Sequence, residues 1–264
     1  MLNKEARERL KQLLPVSMLA TKQWLIDQGL NLHFVDNAIR SRTLLPLTSG
    51  VYALYEKSVR WPGVVASLQR MSEQPIHVGG LTALDLAGFT HFLSTSSEVR
   101  VHIFSESPLP GWINRIPVAA HFERHSTARL WPESVMRNLG FLREYNWQDG
   151  LPPVTYSCPE KALLEVLTEV PSAVSFEHAD ALMQGLSNLS PRKIDALLRA
   201  CGNIKVKRLF LWLAERNGHA WFKGLEPDAY DLGSGKRVIA QRGRLHPKWA
   251  ITVPREMHDE NEHG

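Results

Sequence analysis

The order of helix caps, helix stops and turn residues in the first 55 positions constrains this chain most. Apolar residues at Leu2, Ala6, Leu10, Leu13 and Leu14 predict a helix over Glu5–Leu14, which Pro15 stops. Val16–Leu19 reads as a short extended piece. Thr21 is placed to cap a second helix carrying Trp24, Leu25 and Gln28 and ended by Gly29. Asn31 is placed to cap a third, from Leu32 to about Arg42. Leu44–Leu47, a Thr48-Ser49-Gly50 turn and Val51–Tyr55 then make a small hairpin. Three short helices and a hairpin, in that order, predict a winged helix-turn-helix.

The third helix has two faces. At 3.6 residues per turn Leu32, Val35 and Ile39 share one side, with Phe34 and Ala38 beside them. The other side shows His33, Asp36, Asn37, Arg40 and Ser41, with Arg42 at the end. Base edges and phosphates are read by hydrogen bonds, and the two-pronged side chains of Asn and Arg suit adenine and guanine. Asp36 is the awkward member beside a polyanion, and an i,i+4 pair with Arg40 would neutralise it. A solvated face in a protein–protein module is the alternative.

Beyond this block the pattern is mixed α/β, giving an α+β chain. A helix opens at Trp61-Pro62-Gly63 and runs through Met71; Ile76–Gly80 reads as strand and turn, and Leu81–Leu86 as a short helix. Val99–Phe104, Ile116–Phe122 and Val154–Tyr156 read as strands. Ser157-Cys158-Pro159-Glu160 has the form of a capping box opening a helix over Lys161–Glu169. Helices over Ser175–Gly185, Ser190–Ala200 and Ile204–Arg216 follow, then a strand at Trp249–Val253. Element order divides the chain into a winged helix over 1–58 and an α+β domain over 59–264, with a sub-boundary near 156 where the helical part begins.

Charge is segregated. The net charge is +4, but residues 186–250 hold thirteen Lys/Arg against five Asp/Glu, whereas residues 61–185 hold eight against thirteen. Residues 1–60 hold nine against five, so basic blocks flank an acidic middle and point to a polyanion or acidic partner. No apolar run reaches the roughly 18 residues of a membrane span. The acid-containing first residues lead into no apolar signal segment, and Cys158 and Cys201 have no metal-ligand spacing. The expectation is a reducing cytoplasm, without membrane.

Gly233-Ser234-Gly235-Lys236 invites comparison with a phosphate loop. Such a loop needs an earlier glycine, a hydroxyl after the lysine and a following helix. Here those places hold Tyr230, Arg237 and the strand-like Val238-Ile239-Ala240. The expectation is instead a tight turn between Tyr230–Leu232 and Lys236–Ala240, at the tip of a basic hairpin. None of the eleven histidines lies in a short metal spacing, and no nucleophile elbow or dinucleotide fingerprint is present. No catalytic residue, metal or cofactor is expected. Asp228, Asp231 and Lys236 are the nearest material for a metal-dependent nuclease, but a Glu-x-Lys is missing.

Five segments in order resemble one family: LPLTSGVYAL (45–54), HVGGLTALDLAG (77–88), IFSESPLPGWI (103–113), SCPEKALLEVL (157–167) and LGSGKRVI…HPKWAITVP (232–254). Together they resemble the AbiEi transcriptional regulators, antitoxins of type IV toxin–antitoxin and abortive-infection systems. The resemblance implies a winged helix-turn-helix that represses its own operon at inverted repeats in double-stranded promoter DNA. It also implies an α+β antitoxin domain protecting against a nucleotidyltransferase-like toxin, directly or indirectly. Carried onto this chain, the DNA-reading residues are Thr21 and Lys22 at the second helix, His33, Asn37, Arg40, Ser41 and Arg42 on the third, and Ser49 in the wing. Arg192, Lys193, Lys205, Arg208, Lys236, Arg237, Arg242 and Arg244 form the expected basic surface for toxin or DNA. A protein-interaction module that binds no DNA is the alternative, and a metal-dependent nuclease a more distant one.

Overall fold

The computed structural model describes residues 4–54, 59–89 and 99–259. Leu2, Tyr55 and the boundary expected near residue 58 lie outside them. In chain order the elements begin α1 (Lys4–Leu13), β1 (Ala20–Thr21), α2 (Lys22–Asp27), α3 (Leu32–Arg40), β2 (Leu45–Thr48) and β3 (Val51–Ala53). Next come α4 (Trp61–Met71), β4 (Ile76–Val78), α5 (Gly80–Leu86), β5 (Val99–Ser105), β6 (Ala120–Ser126) and α6 (Glu133–Met136). Then follow β7 (Leu142–Tyr145), β8 (Val154–Ser157), α7 (Pro159–Val166), α8 (Phe176–Gly185), α9 (Pro191–Ala200) and α10 (Ile204–Asn217). The series closes with β9 (Arg244–His246), β10 (Ile251–Val253) and α11 (Arg255–Asp259). Among the described residues the strands form sheets of order β1-β3-β2, β6-β5-β4-β8-β7 and β10-β9. In the five-stranded sheet β4 runs parallel to β8, with Val78 opposite Tyr156.

The chain divides into two compact units. The first comprises Met1–His77, Ser94–Arg124 and Glu144–Thr155. It opens with helix, strand, two helices and two strands, the order of a winged helix-turn-helix. β1 pairs antiparallel with β3 (Ala20 opposite Tyr52), and β3 with β2, where the register shifts between Pro46 and Thr48. Leu10, Leu25, Val35, Ala38, Leu44 and Val51 are buried, each apolar side chain of this size contributing about 1.5–3 kcal/mol on burial except the smaller alanine.

α4 completes this core. The Leu19 N–H donates to the Ser67 hydroxyl (3.0 Å), which donates to the Gly63 carbonyl (2.7 Å). The Arg70 guanidinium lies 4.5 Å over the Trp24 ring and donates to the Leu13 carbonyl. At Gly63 the backbones meet so closely that a Cβ would stand 2.1 Å from the Ser17 carbonyl oxygen and 3.2 Å from the Trp147 ring. Neither backbone partner can swing aside. Gly63→Ala is therefore expected to lower stability by about 2–3 kcal/mol, the upper part of the overpacking range. Urea unfolding followed by circular dichroism measures it, and an unchanged midpoint would contradict the close approach.

The second unit comprises Val78–Leu93, His125–Arg143 and Tyr156–Gly264. α7 is its central helix: every residue from Pro159 to Val166 is buried, and α5, α8, α9 and α10 pack against it. Two of its charged side chains, Lys161 and Glu165, are fully buried, with Nζ 3.7 Å from Oε1. Glu165 also accepts from Trp131 Nε1 (3.1 Å), the Ser157 hydroxyl (3.0 Å) and the Gly80 N–H (3.1 Å). Burial pushes the Lys161 ammonium below its ordinary pKa, and Glu165 opposes that shift.

Three expectations need correction. Ser157 does not cap α7: the N-cap is Cys158, with no side-chain cap bond, and the Ser157 hydroxyl goes to Glu165 instead. Glu160 likewise accepts from the Ser190 N–H (3.0 Å) rather than closing a capping box. The strand expected over Ile116–Phe122 begins at Ala120, because Pro117 has no N–H to give a ladder. Leu32 is 45% exposed, so the buried stripe of α3 is Phe34, Val35 and Ala38.

Candidate nucleic-acid interface

Local sequence sets the starts of α2 and α3. The Thr21 hydroxyl accepts from the Trp24 N–H (3.1 Å) and starts α2; the Asn31 side chain accepts from the His33 N–H (2.9 Å) and starts α3. The polar face of α3 then presents His33, Asn37 and Arg40, all exposed, continued by exposed Ser41 and Arg42. Arg42 has φ of +56°, a left-handed position that ends the helix. Ser49 is exposed beside Gly50 (φ +76°) at the tip of the wing, and the Gly50 carbonyl accepts from the Lys22 N–H (3.1 Å).

Asp36 does not pair with Arg40. Lys22 Nζ on α2 meets Asp36 Oδ1 at 2.5 Å, whereas Arg40 donates to the Asn37 side-chain oxygen. The pair ties α2 to α3 and removes one negative charge from that face. Because both side chains are more than a third exposed, its contribution to stability is small. Its effect is on local charge: Arg40 and Arg42 set the sign of the face.

The basic C-terminal surface is smaller than expected. Arg208 is only 4% exposed. Its guanidinium donates from Nε to the Leu232 carbonyl (2.8 Å), from Nη2 to Gly233 (2.9 Å), and from Nη1 to Gly235 (2.6 Å) and Ala250 (3.1 Å). This explains the glycine-rich string. Gly233 and Gly235 have φ of +63° and +70°, conformations open to glycine, and their carbonyls converge on a cation. A phosphate loop turns N–H groups on an anion; this loop has the opposite polarity.

No hairpin forms around it. Arg237 makes only an isolated bridge with Ile251, and the hairpin nearby is β9 with β10. Lys205 is half-buried and also engaged, donating to the Thr168 (2.9 Å) and Val170 (2.7 Å) carbonyls, and burial pushes its ammonium pKa down. Arg192, Lys236, Arg242 and Arg244 are exposed, and Lys193 and Arg237 half-buried. Arg237 Nη1 donates to the Ser234 carbonyl (3.1 Å). Sequence spacing cannot distinguish Arg208 from Arg192, since the signal lies in a loop more than twenty residues downstream.

Other chemistry is weak in the residues first considered for it. Asp231 accepts from the Gly233 N–H (2.9 Å), closing a turn. The Cys158 thiol is pushed up to about 12 by burial and then by Glu160, and Cys201 to about 11 by burial. Both stay protonated and unreactive at neutral pH. Among the described residues no helix is long and apolar enough to cross a membrane.

Helix, strand, two helices and two strands in the order of a winged helix-turn-helix, with an exposed polar face on α3 that ends in Arg40 and Arg42, are followed by further α+β structure. The chain belongs to the AbiEi antitoxin family of type IV toxin–antitoxin systems. Residues 3–95 match the "Transcriptional regulator, AbiEi antitoxin N-terminal domain", and residues 96–254 match "Transcriptional regulator, AbiEi antitoxin, Type IV TA system". Among solved structures it is similar to the RV2827C protein from Mycobacterium tuberculosis, at 18% identity and a TM-score of 0.48, covering 93% of this chain and 87% of that one. Among curated proteins no relative matches.

Proposed function

We propose that this regulator binds double-stranded DNA at inverted repeats in its own promoter, represses its operon, and protects against a cognate nucleotidyltransferase-like toxin in the cytoplasm. The observation that carries the DNA reading is the exposed His33–Asn37–Arg40 face of α3, with Asp36 neutralised by Lys22. Arg40 donates to Asn37 on that face, and in this reading the two address base edges together. Thr21, Ser41, Arg42 and Ser49 flank it as backbone-contact groups, while the Lys22 ammonium is held by Asp36.

Within this reading residues 1–58 carry operator recognition and residues 59–264 carry antitoxin function. α4 is bonded into the winged-helix core through Ser67 and Arg70, so point substitutions test this division more cleanly than truncation. Arg40→Ala is expected to weaken operator binding by about 1–3 kcal/mol while leaving rescue from the toxin unchanged. A mobility-shift titration beside a toxin-rescue growth assay reads both. Unchanged DNA affinity would remove Arg40 from the reader, and lost rescue in a folded variant would contradict the division. The exposed Arg192, Lys236, Arg242 and Arg244 are the remaining basic groups for a toxin or for DNA.

A further inference from the structure

A cavity of about 390 Å³ opens within the first unit between α2, the end of α4 with the loop that follows it, and the loop after β5. The volume is that of a small-molecule site. Its walls are largely apolar and aromatic, with Trp24, Met71, Pro108, Pro110 and Trp112 among them. Its charged lining is Asp27 and Glu73, and among the described residues no Lys or Arg lines it. In a chain of net charge +4, a pocket of that sign stands apart from the basic DNA-reading face.

We propose that this pocket binds a flat organic cation, an amidinium- or amine-bearing aromatic compound. Trp112 is half-exposed and supplies a ring face, whose negative quadrupole attracts a cation within about 6 Å. The Trp24 ring already receives the Arg70 guanidinium at 4.5 Å, so Trp112 is the open platform. Asp27 and Glu73, both exposed at the rim, supply the counter-charge. Asp27 Oδ1 accepts from Gln23 Nε2 at 2.8 Å, which orients the carboxylate and leaves its second oxygen for a ligand N–H. Pro108 and Pro110 close the apolar side, where the flat body of the ligand loses water. The site abuts the reading module, since Asp27 and Trp24 lie on α2, the helix whose Lys22 holds Asp36 of α3.

The test uses the full chain and three probes of one shape: benzamidine as cation, benzamide as neutral isostere and benzoate as anion. The indole N–H signals are followed by ¹H–¹⁵N NMR and assigned with Trp24→Phe and Trp112→Phe. Benzamidine is expected to move the Trp112 signal saturably, benzamide to bind at least roughly five-fold more weakly, and benzoate to leave the signal in place. Asp27→Asn with Glu73→Gln, both at exposed positions, is expected to weaken benzamidine at least about five-fold while the remaining spectrum stays folded. A Trp112 signal that benzamidine does not move would overturn the site. Equal affinity for all three probes, or full affinity in the double variant, would overturn the assignment of a cation.

Discussion

Glu165→Gln is expected to lower stability by about 3–5 kcal/mol, the cost of removing one partner from a buried charge pair. Two effects add. The Lys161 ammonium, fully buried 3.7 Å from Oε1, loses its counter-charge in an interior that cannot solvate it. The new amide also offers two donors where the carboxylate accepted from Trp131, Ser157 and Gly80, so at least one of these loses a good acceptor. For a chain of this size the melting temperature should fall by roughly 6–20 °C. Adding Lys161→Met, which removes the stranded ammonium and keeps an unbranched apolar stem, should recover part of the loss. A fall below about 1 kcal/mol would show that water or a rearranged Lys161 replaces the carboxylate, and that the network does not hold α7 as described.

Arg208→Lys is the second large effect, expected at about 2–4 kcal/mol although the charge is kept. A guanidinium spreads its donors over a planar fork, whereas an ammonium concentrates three at one point. The four carbonyls, of Leu232, Gly233, Gly235 and Ala250, surround the fork on several sides, and one nitrogen cannot reach them all. Leu232 and Ala250 are half-buried whereas Gly233 and Gly235 are exposed, so the loss falls mainly on the first two: a buried acceptor without a partner costs about 1–3 kcal/mol, and one that water can reach costs less. The 232–237 loop should therefore loosen before the rest of the unit, giving new protease cleavage there together with the stability loss. Wild-type protease resistance in the Lys variant would contradict the cradle.

What was legible in the sequence follows the range of the interactions. Thr21 and Asn31 bond to N–H groups three and two residues onward, so the starts of α2 and α3, and with them the winged-helix order, could be read directly. The Ser157–Glu160 string satisfied the same local rule and failed it. Its hydroxyl was taken by Glu165 and its carboxylate by Ser190, thirty residues away. A buried acceptor outcompetes a cap that solvent can replace.

The polar face of α3 shows the same contrast. Its membership followed from helical period, but the partner of Asp36 lies fourteen residues earlier on another helix, which no spacing within α3 reveals. The glycine-rich string lacks the local requirements of a phosphate loop, and its carbonyls face Arg208. Its actual occupant, Arg208, stands 24 to 27 residues upstream of the bonded carbonyls in that loop, on a helix whose Lys205 and Arg208 were both expected on the basic surface. Positive charge in a sequence marks a side chain that needs partners; burial decides whether those are carbonyls or phosphates.

The central claim is that α3 and the wing read the DNA upstream of this chain's own gene. The direct measurement is the salt dependence of binding to that fragment and to a scrambled one of equal length. The account predicts saturable binding that is tighter on the native fragment by roughly a thousand-fold or more, with log affinity falling linearly against log salt as phosphate contacts release counterions. No shift of the native fragment at low salt, or equal affinity for both fragments across the salt range, would contradict it.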